Sequence, residues 1–182
     1  MKQIKNSNLN TKIASKAKIF LLLFFIPLFI SCGSYLKSRL TVKDNYIPAD
    51  FGKDDSVLLI EVTAKSRSTD KHIEQAFEKL YKGKYQFVYK HGAWKKRYLD
   101  KSRYDDFWHS KFKDSVKYRY FLGTGDVGVI NASGGGYSIP EFYLVDRLKN
   151  IKYKKAATSF FGKLIKAYAT NLEETRVKNS KK

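Results

Sequence analysis

The sequence predicts an α+β fold: a single mixed β-sheet with about three helices packed on it, in the order β-α-β-α-β-β-β-β-α. Three observations lead there. Short apolar runs of strand character alternate with stretches of helical period early in the chain, and four strand-like runs then follow one another closely. No internal repeat and no second block of composition divides the remainder.

The elements follow in order. SVLLIEVT, residues 56 to 63, is a short apolar run suited to a buried strand. Ile73, Ala76, Phe77, Leu80 and Tyr81 recur at i, i+3, i+4, i+7 and i+8, which predicts a helix over about 70–82 capped by Asp70 and stopped at Gly83. KYQFVYK, 84 to 90, returns as a strand, so the first unit reads β-α-β with its strands parallel beneath the helix. HGAWKKRYLD then reads as a turn with an edge strand. Tyr104, Phe107, Trp108 and Phe112 share one helical face opposite Asp105, Asp106, Lys111 and Lys113, and Ser102 with Asp105 approximates a capping box, which predicts a second helix over 103–114. Strands are expected at 117–122, 127–132 and 139–147, with RLKN as a hairpin turn into IKYKK. Phe161, Leu164, Ile165, Tyr168 and Leu172 form the stripe of a last helix capped by Thr158 or Ser159.

Ahead of this body, residues 33 to 55 show no sustained period and are punctuated by Pro48, Gly52 and an Asp pair, the pattern of a flexible tether. The first eighteen residues carry five lysines and no acid, and IFLLLFFIPLFI follows from Ile19 to Ile30. Twelve apolar residues fall short of the roughly 20 that span a hydrocarbon layer. Ser31, Cys32, Gly33 and Ser34 close the run, so charge, apolar core and small residues come in the order of a secretory signal. Ending in a small residue and then the chain's only cysteine, the segment resembles a bacterial lipoprotein signal of Bacteroidota-like character.

The resemblance implies that Cys32 receives a diacylglyceryl group and becomes the first residue of the mature protein. It further implies a lipid anchor in the cell envelope, the outer membrane being the favoured one, with the domain periplasmic or surface-exposed. Two other uses of the segment remain open: cleavage after Gly33, which would discard the cysteine, and an uncleaved anchor. The expected organisation is then a signal peptide at 1–31, a lipidated N-terminus and tether at 32–55, a globular domain at 56–176 and a disordered basic tail at 177–182.

Removing residues 1 to 31 with their five lysines lowers the net charge from +19 to +14. Such a field attracts anionic lipid or glycan. Yet 29 of the 36 bases are lysine, and the wealth of Lys, Asn, Ile, Tyr and Phe also follows from AT-rich codons. Export argues against nucleic acid as a partner. The segment 90–104 interleaves bases with Trp94, Tyr98 and Tyr104, making Lys95, Lys96 and Arg97 the candidate contacts to an anionic ligand.

No catalytic constellation emerges. GTGDVG, 123 to 128, matches the spacing of a dinucleotide fingerprint but no helix follows to present its amides, so a hairpin turn is expected there. ASGGGYS, 132 to 138, reads as a solvated hairpin loop. Asp105, Asp106 and His109 stand at i, i+1 and i+4, so Asp105 and His109 could point the same way from a helix, but a metal needs three ligands with second-shell support, and a solvated acidic patch offsetting nearby lysines is expected instead. An enzyme would require Asp105 or Asp126 to meet a histidine in a concave site. The expected role is a non-enzymatic binding or assembly module, with no cofactor and no metal, and with an envelope protein or an anionic lipid or glycan as partner.

Overall fold

The computed structural model describes residues 34–63, 66–90, 103–130 and 132–181. The chain divides into two compact units, Met1–Tyr35 and Leu36–Lys182, and every element below belongs to the second. These are β1 (Leu58–Glu61), α1 (Arg67–Leu80), β2 (Tyr85–Tyr89), β3 (Asp105–Asp106), a 3-10 turn (Ser110–Lys113), β4 (Tyr120–Ile130), β5 (Gly136–Asp146), β6 (Ile151–Lys152), β7 (Ala156–Ala157) and α2 (Phe161–Ser180). The strands form one mixed sheet in the order β3-β2-β1-β4-β5-β6, with β7 pairing β5. Among the described residues no helix is long and apolar enough to cross a membrane.

The β-α-β unit is realised as expected. β1 and β2 run parallel, Leu58 opposite Tyr85 and Glu61 opposite Val88, and β1 also pairs parallel with β4. Helix α1 buries Ile73, Ala76 and Phe77 against the sheet. It starts earlier than the periodicity suggests, because Ser66 rather than Asp70 is the N-cap, its side chain accepting from the Thr69 N–H. Asp70 is instead 2% exposed. Its carboxylate accepts the N–H and the hydroxyl of Thr63 at 2.7 Å, tying the first helical turn to the end of β1.

The two sheet faces have unequal cores. One face carries α1 and α2 over Leu58, Ile60, Leu122, Phe142 and Leu144. The other holds a smaller cluster of Leu59, Val88, Phe112 and Phe121, with Phe107, Tyr118 and Val145 packed beside it.

Four expectations are corrected. The helix over 103–114 does not form. Asp105 and Asp106 pair parallel with Val88 and Tyr89, and short polar side chains then capture nearby backbone N–H groups: Asp106 from Trp108, His109 from Lys111, Asp114 from Val116 and Lys117. Those local bonds compete with a helical ladder and turn the chain instead. Its aromatics are consequently dispersed, Tyr104 into the larger core, Phe107 and Phe112 onto the opposite face, and Trp108 into solvent at 65% exposed.

GTGDVG is not a turn. It lies inside β4, which pairs with β5 without interruption from Tyr120–Asp146 to Ile130–Gly136. Gly123 and Gly125 are there for close approach: a Cβ on Gly123 would sit 2.7 Å from the Tyr143 ring, and one on Gly125 would sit 2.7 Å from the Glu141 carboxylate. The hairpin turns in the glycine-rich stretch that follows, where Gly134 takes φ +81° and the loop is exposed.

Residues 36–55 of the expected tether and 177–181 of the expected tail are part of the folded body. Leu40, Ile47 and Phe51 are 1–2% exposed and join the larger core. The strap, helical at 34–39 and irregular beyond, can be buried because α2 satisfies its carbonyls: the Asn171 amide donates to Lys37 O and Leu40 O, the Tyr168 hydroxyl to Tyr46 O, and the Asn179 amide to Ala49 O and Phe51 O. Helix α2 must therefore run through the supposed tail to Ser180.

Candidate functional site

Two polar assemblies adjoin each other where the strap crosses the sheet. The first is built around Arg119, just ahead of β4. Its guanidinium meets Asp146, at the end of β5, through Nε at 3.1 and 3.2 Å and Nη2 at 2.7 Å. It also meets Asp54 through Nη1 and Asp50 through Nη2, both at 2.6 Å. Lys149 Nζ adds a contact of 2.7 Å to Asp50. Asp146 is 0% exposed, and its Oδ1 additionally accepts the N–H groups of Leu148 and Lys149. Burial pushes the Asp50 pKa up, but hydrogen bonds from Lys149 and Arg119 outweigh it and hold the carboxyl at about 2. All three guanidinium nitrogens are engaged within the protein, so this cluster is a latch that closes the strap onto the sheet.

The second is a cleft of about 420 Å³ beside that latch, within the size range of small-ligand sites. Phe51, Leu58 and Tyr120 line its apolar part, while Lys53, Asp54, Asp55, Lys82, Lys84 and Arg176 supply charge. Gly52, at φ +79°, lets the strap pass Arg176, whose Cα would lie 2.6 Å from an added Cβ. Gly83 stands in the same relation to the Tyr81 hydroxyl, 2.6 Å away. Burial drives the Tyr81 pKa well above the ordinary phenol range, so the hydroxyl stays protonated and able to donate.

Lys84 is paired with Asp55, and Arg176 with Glu173 at 2.6 Å. Both helices end at the cleft, α1 at its C-cap Tyr81 and α2 at Ser180, bringing the partly negative ends of their backbones to it. The lysines complement those ends, and Lys82 Nζ reaches Glu78 O at 3.4 Å. The resulting surface offers donors and acceptors of both signs to a polar group.

The cleft lies at the amino ends of the parallel strands. Open α/β sheets bind ligands at the carboxyl ends, where the strand order reverses. Here that point falls between β1 and β4 and is occupied by the buried Glu61, whose carboxylate accepts the Thr124 N–H at 2.7 Å and faces Lys90 at 3.2 Å. Glu141 is likewise buried and paired with Lys155 at 2.6 Å. A lone acid in the apolar run SVLLIEVT was the one sequence signal for Glu61; nothing in the local pattern singles out Glu141.

Of the residues expected from sequence, Cys32, Lys95, Lys96 and Arg97 lie outside the described residues. Asp105 bridges to Lys111 at 2.8 Å, while His109 Nδ1 accepts the Lys111 N–H at 3.2 Å, so neither is presented by a shared helical face. Asp126 lies on β4, a different element from β3 with its Asp105. Among the described residues no group of three His, Cys, Asp or Glu side chains could hold a metal ion. The cleft went unnoticed in the sequence because Gly52, Tyr81, Tyr120 and Arg176 come from four separate segments. Comparison of the chain with protein-family models, characterised proteins and solved structures gives no match.

Proposed function

We propose that this protein is a lipid-anchored, non-enzymatic binding module of the bacterial cell envelope, attached through a diacylglyceryl thioether on Cys32. The observation that carries the reading is the position of the only cysteine, one residue after a lysine-rich lead and a twelve-residue apolar run, and eight residues ahead of Leu40, the first buried core residue among the described ones. An unpaired thiol is a liability in an oxidising compartment, and acylation removes it. Each buried methylene contributes about 0.8 kcal/mol, so one acyl chain holds a protein marginally and two or three hold it firmly. The outer membrane is the favoured bilayer, with the domain periplasmic or exposed.

The binding role is supported by the cleft between the strap, the end of α1 and the end of α2. Its mixed charge and its protonated Tyr81 donor suit a polar segment of an envelope protein or a glycan. The anchor is tested by Cys32→Ser in the native host: metabolic labelling with fatty acid should disappear and the protein should leave the membrane fraction. Retention of both label and fractionation would reject the proposal.

A further inference from the structure

We infer that the strap around Leu40 is the membrane-facing side of the domain, placing Lys43 and Lys154 against anionic lipid headgroups. This rests on the acylation of Cys32 proposed above. Its basis is the absence of slack between that cysteine and the folded body. Leu36 already belongs to the body: its side chain packs against the larger core, and the next carbonyl, Lys37 O, accepts from the Asn171 amide at 2.7 Å. Four residue steps separate Cys32 from Leu36, and at no more than about 3.6 Å each they reach about 14 Å. A domain of this length has a radius of gyration of about 15 Å and hence a width of roughly 35–40 Å. The strap packs with the helix-bearing face of the sheet, whereas Lys113, exposed beside Phe112, belongs to the opposite face, so a tether that is short against this width favours the strap side.

What the strap presents is a rigid loop. Val42, Lys43, Asp44 and Asn45 are exposed, with Asn45 at φ +62°. Tyr168 fixes the far side of the loop at Tyr46 O, 2.8 Å, and Asn171 fixes the near side at Leu40 O, also 2.8 Å. Asn45 O accepts the Lys154 N–H at 2.9 Å, and Lys154 Nζ lies 5.2 Å from the Tyr46 ring centroid, so Lys154 is held beside the loop that carries Lys43. Asp44 of the same loop is bonded to the Thr41 hydroxyl at 2.9 Å. Lys43 and Lys154 give the loop a positive edge, matching the negative surface potential of anionic lipid, where each base near the surface adds on the order of a fivefold preference.

The test uses the full-length acylated protein in vesicles of phosphatidylcholine, with or without phosphatidylglycerol. Lysines are pulse-labelled with an amine-reactive ester and quantified peptide by peptide. Labelling of Lys43 and Lys154 should fall about fivefold on the anionic vesicles while Lys113 changes little. With Lys43→Glu and Lys154→Glu together, hydrogen exchange of the 42–45 loop on anionic vesicles should rise to its value on phosphatidylcholine alone. If Lys43 is labelled equally on both vesicles while the intact mass includes the acyl group, the orientation is wrong and the anchor stands. An intact mass lacking that group overturns anchor and orientation together.

Discussion

Replacing Arg119 by Met should cost about 3–5 kcal/mol, the range for removing one partner of a buried ion pair. The magnitude is dominated by Asp146. It is fully buried and loses three guanidinium contacts, retaining the backbone bonds from Leu148 and Lys149. Asp50 and Asp54 add less, since 26% and 38% of their side-chain surface is open to water, which screens what the pairs are worth. Adding Asp146→Leu to Arg119→Met should recover a large part of the loss, because the stranded charge has then gone. Urea denaturation of the purified protein, followed by far-UV circular dichroism, measures both variants and gives the coupling from the double-mutant cycle. A pH series supplies the independent check. Asp50 has its pKa depressed from 3.8 to about 2 in the folded protein, so its stabilising share is complete above pH 4 and is lost as the pH falls through 2. In Arg119→Met that acid-side slope should shrink. A single-variant cost below about 1 kcal/mol, or strictly additive costs in the cycle, would refute the latch.

Further outcomes follow from the corrected fold. Gly123→Ala should destabilise by about 1–3 kcal/mol because the added methyl meets the Tyr143 ring, whereas Gly128→Ala, with nothing within 4 Å, should change the denaturation midpoint little. Equal effects would mean that β4 does not run straight through this stretch. Asn179→Ala should cost about 1–3 kcal/mol by leaving Ala49 O and Phe51 O without their donor, and should raise hydrogen exchange in the strap. Unaltered exchange there would return residues 177–182 to the status of a loose tail. Asp70→Ala should exceed Ser66→Ala, whose loss is an exposed cap bond worth about 1 kcal/mol, since Asp70 is buried and holds Thr63 twice. Thermal unfolding of the pair settles the ranking.

The β-α-β unit, the hairpin and the last helix were readable because each is an amphipathic or apolar run whose own period states which face is buried. Ile73, Ala76 and Phe77 can share a face only in a helix, and Leu58 to Glu61 are too few and too apolar for anything but a buried strand. Period failed at 103–114, where an aromatic spacing compatible with a helix was overruled by Asp106, His109 and Asp114 bonding to their own backbone. It failed again at 123–128, where glycines that resemble a turn are spaces for Tyr143 and Glu141, side chains 20 and 16 residues further along the chain. The cleft was illegible for the same reason, being assembled from segments that no local window joins.

Sequence alone determined the lysine-rich and apolar composition of residues 1–31, the solitary cysteine that follows them, the mixed-sheet class and the basic charge, all of which are local or additive properties. Tertiary structure decided that the stretch before β1 is core. An aperiodic chain can be buried only if distant groups satisfy its carbonyls, and Asn171, Tyr168 and Asn179 do so from a helix more than a hundred residues away.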